Sequence, residues 1–120
     1  MTEIEIDMEA AIEACVEDFH MRAFADPVLS RLFLGTVPNI PEHLRTVCDF
    51  WSHALLMTGR YAGSPFPAHL DLALEAEHFE RWISLFREAA QRTLPAQVAE
   101  TAVAKAEQIL ANWLDPKVYN

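Results

Sequence analysis

Apolar residues return every three or four positions along four separate stretches of this chain, and that period is the signature of packed amphipathic helices. Met8, Ala11, Ile12, Cys15, Val16, Phe19 and Ala23 form the first stripe. Leu44, Val47, Cys48, Trp51, Ala54 and Leu55 form the second, and Phe79, Trp82, Ile83, Phe86 and Ala90 the third. Ala99, Ala102, Val103, Ala106, Ile109, Leu110 and Trp113 form the last. Prolines and caps mark the limits. Asp7 is placed to cap a helix running to Ala25, and Asp26-Pro27 stops it and starts a short element towards Leu34. The next helix starts near Pro41 and runs to about Met57, where Thr58-Gly59 ends it. The third main stripe predicts a helix from Ala76 to Thr93, Pro95 opens the fourth, and Asp115-Pro116 ends it. The stretch from Arg60 to Ala68 holds Gly63, Pro65 and Pro67 and cannot be regular helix. With no convincing strand alternation, the expected class is all-α.

A chain of 120 residues, 52% of them hydrophobic, can bury one core but not two, so a single domain over 1–120 is expected. The formal charge of −9 repels phosphate backbones and anionic membranes, which argues against nucleic acid or membrane as a partner. The acidic start, TEIEID, is unlike a secretory leader, and the apolar runs are far shorter than a bilayer span. A soluble cytoplasmic protein is the expectation. Cys15 and Cys48 sit in separate apolar stripes without a C-x-x-C pair and read as buried thiols.

Chemistry-bearing residues are few. Five histidines are many for this length. His20 shares the apolar face of the first helix, and His43 lies on the stripe of Val47 and Trp51. His69 follows the proline-rich loop in an apolar setting, whereas His53 and His78 occupy less apolar positions. No H-E-x-x-H pattern or cysteine pair suggests zinc, and Cys48 is too apolar in setting to be a good nucleophile. Large rings are spread over several helices: Phe19, Phe33, Phe50, Trp51, Phe79, Trp82 and Phe86. Such rings can be ordinary core, or they can wall a crevice for a flat apolar cofactor such as haem, which also needs an axial nitrogen and a polar donor.

The stretch FWSHALLMTGRYAGSPFPAHLDL, Phe50 to Leu72, closely resembles the group III truncated haemoglobins. That family carries a Phe-Trp pair, a Gly and Tyr loop, a proline, and the proximal histidine in a His-Leu motif. HFERWISLF, His78 to Phe86, is similar to the family's aromatic helix, and AFADPVLSRLF, Ala23 to Phe33, to its Asp-Pro region. The resemblance runs over nearly the whole chain. It implies a truncated globin-like 2-over-2 helical sandwich holding a non-covalent haem b. Residue by residue, it implies His69 as the proximal iron ligand, His43 as the distal histidine and Trp82 as the distal tryptophan. Val47 and Trp51 would line the side of His43, and Phe33 would pack on the haem edge. Where the family commonly has a tyrosine on the first long helix, this chain reads Phe19-His20, so His20 stands in place of the usual hydroxyl donor.

The activity implied is reversible binding of O2, CO or NO at ferrous haem, with an N–H from Trp82, His20 or His43 steadying the ligand. Two rival readings stay open. One is a haem enzyme acting on peroxide or nitric oxide (peroxidase-like, or an NO dioxygenase) and served by a reductase. The other is a haem-free helical interaction module.

Overall fold

The computed structural model describes residues 7–31, 39–61 and 76–111. These residues form four long helices, α1 (Met8–Ala25), α2 (Ile40–Leu56), α3 (Ala76–Thr93) and α4 (Ala96–Ala111), and contain no strand. Helix starts are set by short polar side chains. Asp7 accepts from the Ala10 N–H at 3.1 Å, and Asn39 accepts from the Glu42 N–H at 3.0 Å just ahead of Pro41. The chain turns at Asp26-Pro27 and is helical again from Leu29 to Arg31. The rest of the short element towards Leu34 lies outside the described residues, as do most of the proline-rich loop and Trp113.

The α2 terminus lies within a residue of its expected limit near Met57 but is capped without a glycine. The helix stops at Leu56, and Met57, not a glycine, takes the left-handed cap with φ 59°. A non-glycine residue there costs roughly 1–2 kcal/mol. Two hydrogen bonds to His53 offset this. The Met57 N–H donates to the His53 carbonyl at 2.8 Å, and the Gly59 N–H donates to the His53 ring Nδ1 at 3.0 Å.

The buried face of α1 runs Ala11, Ile12, Cys15, Val16, Phe19, His20, Ala23, which is its apolar stripe with one histidine added and with Met8 only partly buried. α1 packs mainly on α3 and also on α2, α3 packs on α4, and α2 touches α4 lightly. Two helix pairs, α1–α2 and α3–α4, thus lie one on the other. Small residues make the second pair tight: Ala89, Ala90, Ala99, Ala102 and Ala106 are all buried. Full burial of a residue such as Ile12 or Leu29 contributes about 1.5–3 kcal/mol relative to exposure. Ser52, a buried polar side chain, donates to Glu9 at 2.9 Å and lies 2.8 Å from the Thr58 hydroxyl, tying the start of α1 to the end of α2. Among the described residues, no helix is long and apolar enough to cross a membrane.

Asp26 ties the turn after α1 to α3. It accepts from the N–H groups of Val28 at 2.8 Å and Leu29 at 3.1 Å, and it pairs with Arg81 at 2.6 Å. Burial pushes its carboxyl up, but the Leu29 and Val28 N–H groups and the Arg81 guanidinium outweigh burial and hold it below the usual value. The folded pKa is therefore the lower one, so this stabilisation is present above the unfolded pKa and fades as pH falls through the folded one. Asp26→Ala is expected to cost about 1–2 kcal/mol at neutral pH, the range for a lost cap. Urea unfolding should show the gap from wild type closing in strong acid.

Candidate functional site

A cavity of about 60 Å³ lies where the four helices converge. That is room for a few water-sized molecules. α1 supplies Val16, Phe19 and His20, and α2 supplies His43, Val47, Phe50 and Trp51. α3 adds Trp82 and Phe86, and α4 closes the wall with Ala106, Ile109 and Leu110. The cavity therefore brings together Phe19, His20, His43, Val47, Trp51 and Trp82 from the residues singled out in the sequence. Phe33 and His69 lie outside the described residues. The contribution of α4 was not anticipated, because its apolar stripe reads as ordinary core.

Ring contacts hold the walls. Phe19 stacks on Trp82 at 5.9 Å and meets Phe86 edge-on at 5.8 Å, while Phe86 stacks on Trp51 at 5.1 Å. Such pairs add about 0.5–1.5 kcal/mol each beyond area burial. They also fix the indole plane of Trp82 against α1.

His20 is 3% exposed, and its Nδ1 lies 2.8 Å from the Val16 carbonyl one turn back. A carbonyl oxygen only accepts, so Nδ1 carries the proton, and in the neutral ring Nε2 is the lone-pair nitrogen. This revises the expectation from sequence that His20 offers an N–H to a bound ligand: its N–H is spent on its own helix. The His43 ring, half-buried on α2, stands 5.2 Å from the His20 ring at 77°.

The other candidates fall away from this centre. His53 caps α2 through the Gly59 N–H, and His78 is partly buried on α3. Burial, aided by Glu13, Asp49 and Glu17, pushes the Cys48 thiol up to about 11, and burial does the same for Cys15, so neither is a ready thiolate. Among the described residues, no three His, Cys, Asp or Glu side chains come together as a site for a metal ion.

Four helices in two packed pairs, around an aromatic cavity with two histidines, make a truncated globin-like, two-over-two helical fold. The crystal structure of the group III truncated hemoglobin from Campylobacter jejuni has this fold, with a TM-score of 0.80 over 92% of this chain and 91% of that one, at 26% identity. In sequence, the chain is similar to the group 3 truncated hemoglobin ctb of Campylobacter jejuni, 26% identical over 110 residues, which are 88% of this chain and 87% of that protein. No family model matches the chain.

The His20 geometry has a direct check. Two-bond nitrogen–proton correlation spectra of the diamagnetic protein should show the Nδ1–H tautomer for neutral His20. An Nε2–H pattern would contradict the Val16 bond.

Proposed function

We propose that this chain binds haem b in the aromatic crevice, with His69 as the proximal ligand, and uses it to bind a diatomic gas (O2, CO or NO) reversibly. The observation that carries this reading is the convergence of Phe19, His20, His43, Val47, Trp51 and Trp82 on one apolar cavity. These are residues that the resemblance to the group III truncated haemoglobins assigns to the pocket. The chemistry of the lining fits the group: aromatic and aliphatic walls suit the face of a flat apolar macrocycle, imidazole and indole suit a polar ligand on it, and the cavity of about 60 Å³ is the size of the gas and not of the macrocycle. His69 belongs to the 62–75 stretch, which joins α2 to α3, and both of these helices line the cavity.

Ferrous haem supplies the position at which the gas binds. The chain supplies the surroundings. Phe19, Phe86 and Trp51 keep water out of the pocket, and the stacked indole of Trp82 carries the N–H suited to steady a polarised ligand. A donor to a charged or polarised oxygen is worth roughly 1.5–3 kcal/mol, about ten- to a hundredfold in affinity. Neutral His20 does not compete for this role, since its N–H is engaged by Val16. The net charge of −9 suits a basic reductase that returns the iron to the ferrous state, and a cytoplasmic setting keeps both thiols reduced. A second reading, turnover of peroxide, is favoured by the two histidine rings 5.2 Å apart at the cavity, since a histidine there is suited to act as acid or base on a peroxide.

The first test is colour. The purified chain supplied with haem should show a Soret band with one haem per chain, whereas a protein that stays colourless is a helical interaction module. His69→Ala should lose most of its haem during gel filtration. Retention of a full complement with an unchanged ferrous spectrum would move the ligand to another residue.

Trp82→Leu keeps an apolar filler and removes the N–H. Its O2 dissociation, followed by stopped flow, should be about ten- to a hundredfold faster than wild type. Equal rates would leave Trp82 with packing alone.

A further inference from the structure

We propose that the Asp26–Arg81 ion pair is a positioning device for Trp82: it fixes the rotation of α3 against α1, and with it the aim of the indole N–H at a gas bound in the cavity. The ionic partners along the two helices fall in opposite order. Asp18 pairs with Arg92 at 3.6 Å, Arg22 with Glu88 at 2.6 Å, and Asp26, just past the end of α1, with Arg81 at 2.6 Å. α1 and α3 therefore run antiparallel, and the stack of Phe19 on Trp82 lies in the same interface. Of the three pairs, Asp26–Arg81 is the one adjacent to Trp82 in the chain. The proposal rests on the haem reading above and deepens it by naming the residues that orient the donor.

The three pairs differ in stiffness. The Glu88 and Arg92 side chains are 54% and 70% exposed, so water and salt compete for them and their pairs hold geometry weakly. The Asp26 side chain is 10% exposed, and its Oδ1 already accepts from the Val28 and Leu29 N–H groups while Arg81 takes Oδ2. Arg81 thus reaches a carboxylate that the backbone holds in place. Its other acidic neighbour, Glu77 at 3.9 Å, stands one turn back on α3 itself and cannot fix that helix against another.

Stacking alone aims a donor loosely. Aromatic pairs tolerate centroid separations from about 4.5 to 7 Å. The Phe19–Trp82 stack, at 5.9 Å, can therefore slide without losing its contact. A hydrogen bond is stricter and weakens steeply as its angle closes. Successive residues project about 100° apart around a helix. Phe19 holds the helix through Trp82 in one direction, and Asp26 holds it through Arg81 in another. Two such holds stop a helix from rolling, where one does not.

Two variants remove the tie and keep the fold. Asp26→Asn keeps an acceptor for the Val28 and Leu29 N–H groups and loses the charge, and Arg81→Met keeps an apolar stem. In the full chain loaded with ferrous haem, each should speed O2 release about three- to tenfold, part of the loss expected for removing the indole N–H outright. Arg81→Lys, which keeps a cation, should stay nearer the wild-type rate, and Arg22→Ala, which breaks the solvated pairs, should match it. In a Trp82→Leu background the effect of Arg81→Met should vanish, since coupled sites do not add. Wild-type release by both variants overturns the proposal. So does an effect that persists undiminished without the indole, or equal acceleration by Arg22→Ala. A second readout needs no gas release. In nitrogen–proton correlation spectra of the chain, haem-free or as the diamagnetic CO complex, the Trp82 indole cross-peak is identified by its loss in Trp82→Leu. It should shift in Asp26→Asn and Arg81→Met while that of Trp51 stays, and an unmoved Trp82 cross-peak overturns the proposal. A chain that takes up no haem fails the parent reading, and the cross-peak of the haem-free chain then decides the positioning by itself.

Discussion

Phe86 stands between Phe19 and Trp51, at 5.8 and 5.1 Å, and through it the two helix pairs are joined. One ring on α3 thereby touches rings from both α1 and α2. Because Phe86 is 4% exposed, its contacts are made without competing water. The same column of rings is also the wall of the cavity. The core and the site are therefore not separate achievements of the fold: packing the pairs together is what builds the pocket, and the pocket's shape follows from ring sizes that the core requires.

Much of this was legible in the sequence because periodicity reports burial well. The stripe from Ala11 to Ala23 is the buried face of α1, and the limits Ala76 and Thr93 are those of α3. The left-handed cap at Met57 was not legible. Backbone preference points to Gly59, which also has positive φ, yet the His53 carbonyl and ring organise the terminus two residues earlier. Nor did the stripe of α4 distinguish residues that face a cavity from residues that face only their neighbours. Periodicity fixes the inward side of a helix; which inward residues line a void depends on how the other three helices cross it. Ala106, Ile109 and Leu110 are cases in point.

The candidate site divides in the same way. The grouping of His20, His43 and Trp82 follows from the resemblance together with helical spacing, and the cavity gathers them. The direction of the His20 hydrogen bond does not follow from either. It depends on which rotamer brings Nδ1 to the Val16 carbonyl, and a sequence carries no record of that. Set against the tyrosine that the resemblance to the group III truncated haemoglobins implies at this place, His20 differs in more than the size of its side chain. A hydroxyl can both donate and accept, whereas a neutral imidazole tied at one nitrogen can only accept at the other.

That tie also has an entropic side. A buried histidine held by its own helix has already given up its rotamer freedom when the protein folded, so a ligand entering the cavity pays nothing further to order it. His43 is only half-buried. The two rings therefore differ in setting: His20 is held within the core, and His43 stands at the side of the cavity nearer solvent.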